Sequence, residues 1–288
     1  MKPTAGAGDE LVEKRCLVTG ASGGIGEEIA AQLLDHGAKQ VLLVARASDR
    51  LDEARDRLAR AQTAATVESL PCDLSLLAEV RALVARVPSP LDVVVLNAAI
   101  VPSARRTTRE GIEETLATNQ LGPYLLARSL LPTMTRGGRI VIVGADPGML
   151  AREPVVLSDL AFENDFSPMR AYMRTKNMNA MFAYALARRA VEFGVTVNAA
   201  HPGVIRTSLG RNLRGFAKLA LAVFGPLLPT ARVGADTPAW LAWSPEVREV
   251  TGGFFVKRRR RMTAPHTLDV ARQEELWARC AELVSLAP

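Results

Sequence analysis

The hexapeptide Ala171-Tyr172-Met173-Arg174-Thr175-Lys176 sets a phenol and an ammonium four residues apart, which makes them neighbours on one face of a helix. Tyrosine ordinarily ionises near pH ~10, too high for acid or base work at neutrality, and a lysine held close favours the phenolate and lowers that value. Tyr172 and Lys176 are therefore expected to form a proton-transfer unit. The same spacing also occurs in ordinary amphipathic helices, so the pair gains meaning only from its surroundings. The second cluster is Thr19-Gly20-Ala21-Ser22-Gly23-Gly24-Ile25-Gly26, between the apolar run Cys16-Leu17-Val18 and a stretch where Ile25, Ile29, Leu33 and Leu34 keep helical spacing up to Gly37. Between a strand and a helix, Gly20 can make a tight turn, Gly24 can let backbone approach a pyrophosphate, and Gly26 can let the helix pack closely on the strand. The helix N-terminus attracts phosphate. The position about twenty residues beyond the last glycine is Arg46, where an acid would bind a ribose 2′-hydroxyl and an arginine accommodates a 2′-phosphate. NADP is expected rather than NAD.

The elements that must position these groups alternate. Gln40 to Ala45 reads as a strand, Asp49 to Arg60 as a charged helix with Leu51, Ala54 and Leu58 on its apolar face, and a third strand leads to Pro71-Cys72-Asp73-Leu74. A helix from about Ser75 to Val87 precedes Leu91 to Leu96, an apolar run of the kind covered on both faces. Gly111 to Leu131 reads as helix, Gly138 to Val143 as strand, Met169 to Glu192 as the helix carrying Tyr172, and Val195 to Ala200 as strand. Gly253 to Val256 is a late short strand, and a C-terminal helix is expected over about 267–285. Strict alternation predicts an α/β fold: one doubly wound parallel sheet of about seven strands, helices on both faces, and a single domain over 1–288.

The composition is that of a globular chain with a large core: 288 residues, 48% hydrophobic, 5% aromatic. Cys16, Cys72 and Cys280 are far apart, so neither a zinc site nor a disulfide framework is expected. No apolar run reaches the ~18 residues of a membrane span, and Met1 to Arg15 lacks a signal-like core, which predicts a cytoplasmic protein. The net charge of +6 owes much to the run Lys257 to Arg261, which lacks interleaved aromatics and reads as a solvated loop, not a nucleic-acid site.

The glycine turn, Asp73 after the third strand, Asn97-Ala98-Ala99 after the fourth, Asn119, Tyr172 with Lys176, and His201-Pro202-Gly203 occur in an order that resembles the short-chain dehydrogenase/reductase family. The resemblance covers about Lys14 to Phe255. Thr118-Asn119-Gln120-Leu121-Gly122, Met169-Arg170-Ala171-Tyr172 and His201-Pro202-Gly203-Val204-Ile205-Arg206-Thr207 look like its retinol-dehydrogenase-like branch and bacterial relatives. By that resemblance, Gly20, Ser22, Gly23, Gly24, Ile25, Gly26 and Arg46 would hold the pyrophosphate and adenosine end. Asp73 and Leu74 would flank the adenine, Asn97, Ala98 and Ala99 would lie beside the ribose, and Pro202, Gly203, Val204 and Thr207 would hold the nicotinamide half. Tyr172 would exchange a proton with the substrate oxygen, Lys176 would lower its pKa and bind the nicotinamide ribose, and Asn119 would keep a water in the relay. The family resemblance leaves room for a homodimer or homotetramer.

One position departs from the pattern. Where the family usually carries a serine after the fifth strand, Val143 is followed by Gly144-Ala145-Asp146, without a hydroxyl. Losing one donor at a developing oxyanion typically lowers the rate by ~10²–10³. Asp146 is the nearest polar replacement, as a donor only if protonated and otherwise as a base, or simply as a turn residue before Pro147-Gly148. The segments Leu150 to Pro168 and Arg206 to Arg232 follow the strands that border the site and are expected to shape the pocket. The apolar stretch Phe216 to Leu228 can be a lid over an apolar substrate, a membrane-surface contact, a dimer patch or ordinary packing, with the lid favoured. Arg206, Arg211 and Arg214 can steer an acidic substrate or simply face solvent. Three functions compete: an NADP-dependent oxidoreductase acting on an apolar carbonyl or alcohol; a dehydratase, cyclase or isomerase holding NADP structurally; and a non-catalytic dinucleotide-binding regulator. Tyr172, Lys176 and Asn119 argue for the enzymes, and the missing hydroxyl keeps the second open.

Overall fold

The structure is a computed structural model that describes residues 10–164, 166–203 and 229–287. Its centre is one sheet in the order β3-β2-β1-β4-β5-β6-β7-β8. The strands are β1 (Arg15–Thr19), β2 (Gln40–Ala45), β3 (Thr66–Pro71), β4 (Leu91–Leu96), β5 (Met134–Val143), β6 (Thr196–His201), β7 (Gly253–Val256) and β8 (Arg259–Arg260). Seven pair in parallel, and β8 returns antiparallel to β7. The crossovers are α1 (Gly24–Asp35), α2 (Asp49–Ala61), α3 (Leu77–Arg86), α4 (Gly122–Leu130), α5 (Pro168–Ala190) and α6 (Ala231–Trp243), followed by α7 (Val270–Leu283). One buried cluster joins Leu17, Val94, Ile140, Ile142 and Ala199 to α4, α5 and α7. The other joins Val18, Val95, Val141, Val143 and Ala200 to α1 and α6. Successive residues of each strand thus serve opposite faces, as the two-residue period of a pleated strand requires. The strand order reverses between β1 and β4, and open α/β sheets bind ligands at the carboxyl ends beside such a switch.

The structure departs from two sequence expectations. The sheet has eight strands, because Lys257 (φ 50°) and Arg258 (φ 58°) form a two-residue turn with both backbones left-handed, the geometry a tight hairpin needs. Lys257 to Arg261 is therefore a hairpin with a charged edge, and Arg258 is anchored to Asp236. The helix expected from Gly111 begins as a turn at Glu114–Leu116, widens to a π-helical turn at Ala117–Leu121, and only then becomes α4. A strand acid also finds its reason: Asp92, within the apolar run of β4, accepts from Lys14 Nζ at 3.0 Å and Arg15 N at 2.9 Å. Among the described residues, no helix is long and apolar enough to cross a membrane.

Candidate active site

Thr19, the last residue of β1, organises the glycine turn. Its Oγ1 accepts from the backbone N–H groups of Asn97 (2.9 Å) and Ala98 (3.1 Å), and Asn97 Nδ2 donates back to Thr19 O at 2.9 Å. The turn is thereby stapled to the end of β4. Gly20 sits at φ 68°, a left-handed conformation open to glycine at little cost. At Gly26 a Cβ would lie 2.3 Å from Gly20 O and 2.6 Å from Asn97 Nδ2, so the close packing read from the sequence is literal. Gly26→Ala is expected to push the turn outward, destabilising the protein by ~1–3 kcal/mol and weakening dinucleotide binding at least tenfold. Thermal melting and calorimetric titration check this, and unchanged affinity would contradict the assigned role.

Beside this turn lies a cavity of about 710 Å³. Its walls include Gly20, Ser22, Gly23, Gly24, Ile25, Gly26, Arg46, Asp73, Leu74, Asn97, Ala98 and Ala99, so the residues assigned to the adenosine and pyrophosphate end come together as one surface. Ser48, Arg50, Ser75, Ile100 and Thr118 line it too and escaped the sequence reading. Arg50 is the most telling of these. It occupies the first turn of α2, where a cation opposes the helix dipole, so an arginine there is a signal for an anion. Arg55 and Arg57, farther along α2, pair with Asp52, Asp56, Glu27 and Glu53. Among the described residues Arg46 and Arg50 have no acidic partner, and Arg50 Nη2 lies 2.8 Å from where a Cβ on Gly23 would stand. A dinucleotide carrying an extra phosphate fits these walls: glycines that admit a pyrophosphate, and two unpaired guanidinium groups at the adenosine side.

Helix α5 carries the second half of the site. Ser167 caps it by accepting from Arg170 N, and Pro168 occupies its first turn. Packed between the sheet and α7, it is buried on nearly every side from Arg174 to Ala187. Lys176 Nζ donates to Val143 O at 2.8 Å, tying the helix to the end of β5, and lies 5.9 Å from the centre of the Tyr172 ring. Burial pushes the Tyr172 phenol up to about 12 and the Lys176 ammonium down to about 8. The expected lowering of Tyr172 by Lys176 is thus reversed, because removal from water penalises both charged forms and the ammonium is directed to a backbone carbonyl.

The Lys176 shift has a signed consequence for stability. Its folded value, about 8, is below the ordinary 10.5, so the folded state binds this proton less tightly than the unfolded chain. The penalty is fully present below about pH 8 and fades as pH rises toward about 10.5. Lys176→Met is expected to gain stability at about pH 7, on the order of 3 kcal/mol at most since the bond to Val143 is lost, and to lose that gain near pH ~10.5. Denaturant titrations at the two pH values check it; a difference independent of pH would contradict burial of a charged Lys176.

Asn119 lies in the π-helical turn, and its side chain is fully engaged. Oδ1 accepts from Ile100 N at 2.8 Å, and Nδ2 donates to Ile100 O at 3.0 Å and Thr175 Oγ1 at 3.1 Å. Thr175 donates in turn to Tyr172 O, and Asn179 holds Asn119 O at 2.7 Å. A continuous chain therefore runs from the cavity wall at Ile100 to the backbone of Tyr172. Asp146 Oδ1 accepts from Gly148 N (2.9 Å) and Met149 N (3.1 Å), capping the turn Pro147–Leu150, as the turn reading expected. Its Oδ2 lies 3.9 Å from Nε2 of His201, a residue the sequence reading left without a role. Pro202 and Gly203 follow β6 directly. Val204, Thr207, Arg206, Arg211, Arg214 and the stretch Phe216 to Leu228 fall outside the described residues, and with them nearly all of the expected lid.

Comparison with known proteins agrees with this geometry. Residues 14–217 match the family model described as short chain dehydrogenase. A Streptomyces sp. (strain C5) protein named "Putative daunorubicin C-13 ketoreductase DnrU" is 34% identical over 278 residues, covering 95% of this chain and 93% of its own length. Human retinol dehydrogenase 14 is 32% identical over 284 residues, covering 92% and 84%. Among solved structures, a short chain dehydrogenase from Burkholderia cenocepacia J2315 in complex with NADP superposes with a TM-score of 0.69 at 26% identity, covering 86% of this chain and 97% of that one. Fold, glycine turn, Tyr172 helix and matched sequence together place this chain in the short-chain dehydrogenase family of oxidoreductases.

Proposed function

We propose that this protein is an NADP(H)-dependent oxidoreductase that interconverts a carbonyl and an alcohol on an apolar small molecule. The observation that carries the reading is the hydrogen-bonded chain Ile100, Asn119, Thr175, Tyr172, which ties the backbone of the proposed acid to a wall residue of the cavity beside the glycine turn. Arg46 and Arg50 would pair with the 2′-phosphate, the glycine turn would hold the pyrophosphate, and Asp73 and Leu74 would flank the adenine. When bound there, NADPH would supply the hydride for the carbonyl carbon. Tyr172 would give its phenolic proton to the carbonyl oxygen. Because burial keeps that phenol protonated to about 12, the acid needed for reduction is present at every physiological pH. Lys176 would hold Tyr172 and the nicotinamide ribose in register, and the lone pair of Asn119 O not taken by Asn179 would keep a water in the relay that restores the proton.

The names of the relatives support a carbonyl or alcohol substrate with extended apolar surface. The capping role of Asp146 weakens the elimination and cyclisation alternatives, since one of its oxygens already satisfies two backbone donors. The test is purified protein with NADPH or NADH and a series of aromatic and polycyclic ketones, read by nicotinamide absorbance and by product analysis. NADPH-linked reduction is expected. Substrate consumption with no change in nicotinamide absorbance would replace this reading with the non-redox one.

A further inference from the structure

Helix α5 links the parallel strands β5 and β6, so it runs antiparallel to them. Lys176 is level with Val143, to which it bonds. Tyr172, one turn earlier, stands ~6 Å farther toward the carboxyl end, which is also the advance of two strand residues beyond Val143 and so the level of Ala145. Val143 is in register with Ala200, and Gly144 N donates to Ala200 O at 2.8 Å, so His201 lies beside Gly144 and Ala145. Val197 and Ala199 face α5 while Ala200 faces away, and alternation turns His201 toward α5. Tyr172 therefore lies at the same level above the sheet as the pair Asp146 and His201.

The separation of Asp146 Oδ2 and His201 Nε2, 3.9 Å, is too long for a direct hydrogen bond and suits one oxygen bridging the two. Burial lowers the His201 pKa more than Asp146 raises it, which leaves a neutral ring with a single N–H. Nδ1 is buried without a partner, and the carboxylate beside Nε2 favours the proton there. The pair thus offers one acceptor and one donor, the complement of a hydroxyl group. We propose that Asp146 and His201 form a subsite for a substrate hydroxyl next to the reacting carbonyl, so that the preferred substrates are hydroxyketones and, in reverse, vicinal diols. This rests on the oxidoreductase reading for its carbonyl but not for its hydroxyl. It also gives Ala145 a reason: a small side chain leaves room between Tyr172 and the pair for the second oxygen.

Three ketones of one skeleton test it with NADPH: acetophenone, 2-hydroxyacetophenone and 2-methoxyacetophenone. The methoxy compound keeps the electron-withdrawing oxygen and removes the proton that Asp146 would accept. The hydroxyketone is expected to exceed the methoxyketone ~10- to 100-fold in kcat/KM, and Asp146→Asn and His201→Phe are each expected to bring that ratio near one. A binding measurement needs no turnover. In ¹⁵N-labelled protein, where His201→Phe identifies its signal among three histidines, 1-phenyl-1,2-ethanediol should shift the His201 Nε2 resonance and 1-phenylethanol should not. If no ketone consumes NADPH yet the diol shifts His201, the reductase reading fails and the subsite stands. If the ratio is near one in the wild type, or both alcohols leave Nε2 unmoved, only water bridges the pair and the proposal is overturned.

Discussion

Tyr172→Phe is expected to lower kcat for carbonyl reduction by ~10²–10⁴ while leaving NADPH affinity and melting temperature close to wild type. Only the hydroxyl is removed: the ring, its place on α5 and the tie from Thr175 to the Tyr172 backbone all remain. The pH dependence carries a second signature. With the phenol at about 12, reduction should not fade through loss of the Tyr172 proton anywhere near neutrality. Oxidation of the alcohol needs the phenolate, whose fraction rises about tenfold per pH unit below its pKa, so the reverse rate should climb with pH. Stopped-flow measurement of hydride transfer in both directions checks both statements. A phenylalanine variant with full activity would move the acid elsewhere, with Asp146 and His201 next to be tested.

Arg46→Ala and Arg50→Ala are each expected to weaken NADPH binding about tenfold, and the double variant ~10²-fold, with NADH affinity little changed. A charge-assisted hydrogen bond contributes ~1.5–3 kcal/mol, and the lower end applies because both guanidinium groups are exposed and partly screened by salt. The two effects should add if each arginine contacts a different phosphate oxygen, and the NADPH loss should shrink as ionic strength rises. Calorimetric titration of both dinucleotides at two salt concentrations tests this. Equal affinities for NADPH and NADH in the wild type would overturn the NADP assignment; loss from Arg46→Ala alone would remove Arg50 from the site.

Much of the fold was legible because local rules and tertiary demand agree. Gln40 to Ala45, Leu91 to Leu96 and Gly253 to Val256 stand in the structure with the bounds their sequence predicts, since mainly apolar runs followed by polar residues have one satisfactory place in a doubly wound sheet. The eighth strand was not legible, because Lys257-Arg258 carries none of the glycine or asparagine that usually marks a left-handed turn. Likewise, the π-helical turn at Ala117–Leu121 coincides with side-chain ties of Asn119 to Ile100 and Thr175 across the chain, and no periodicity announces it.

The chemistry-bearing parts are legible without the fold: a glycine turn between strand and helix, an arginine about twenty residues beyond it, and a tyrosine and lysine one turn apart. Spacing along a single element carries that information, so the residues show it without the fold. What depends on separate elements meeting came only with the fold: Arg50 lining the same cavity as Arg46, Asn97 stapling the glycine turn, and His201 beside Asp146. It also reversed the sign of the shift at Tyr172. Proximity of Lys176 is written in the sequence, but desolvation is set by everything packed around both groups, and it raises the phenol and lowers the ammonium.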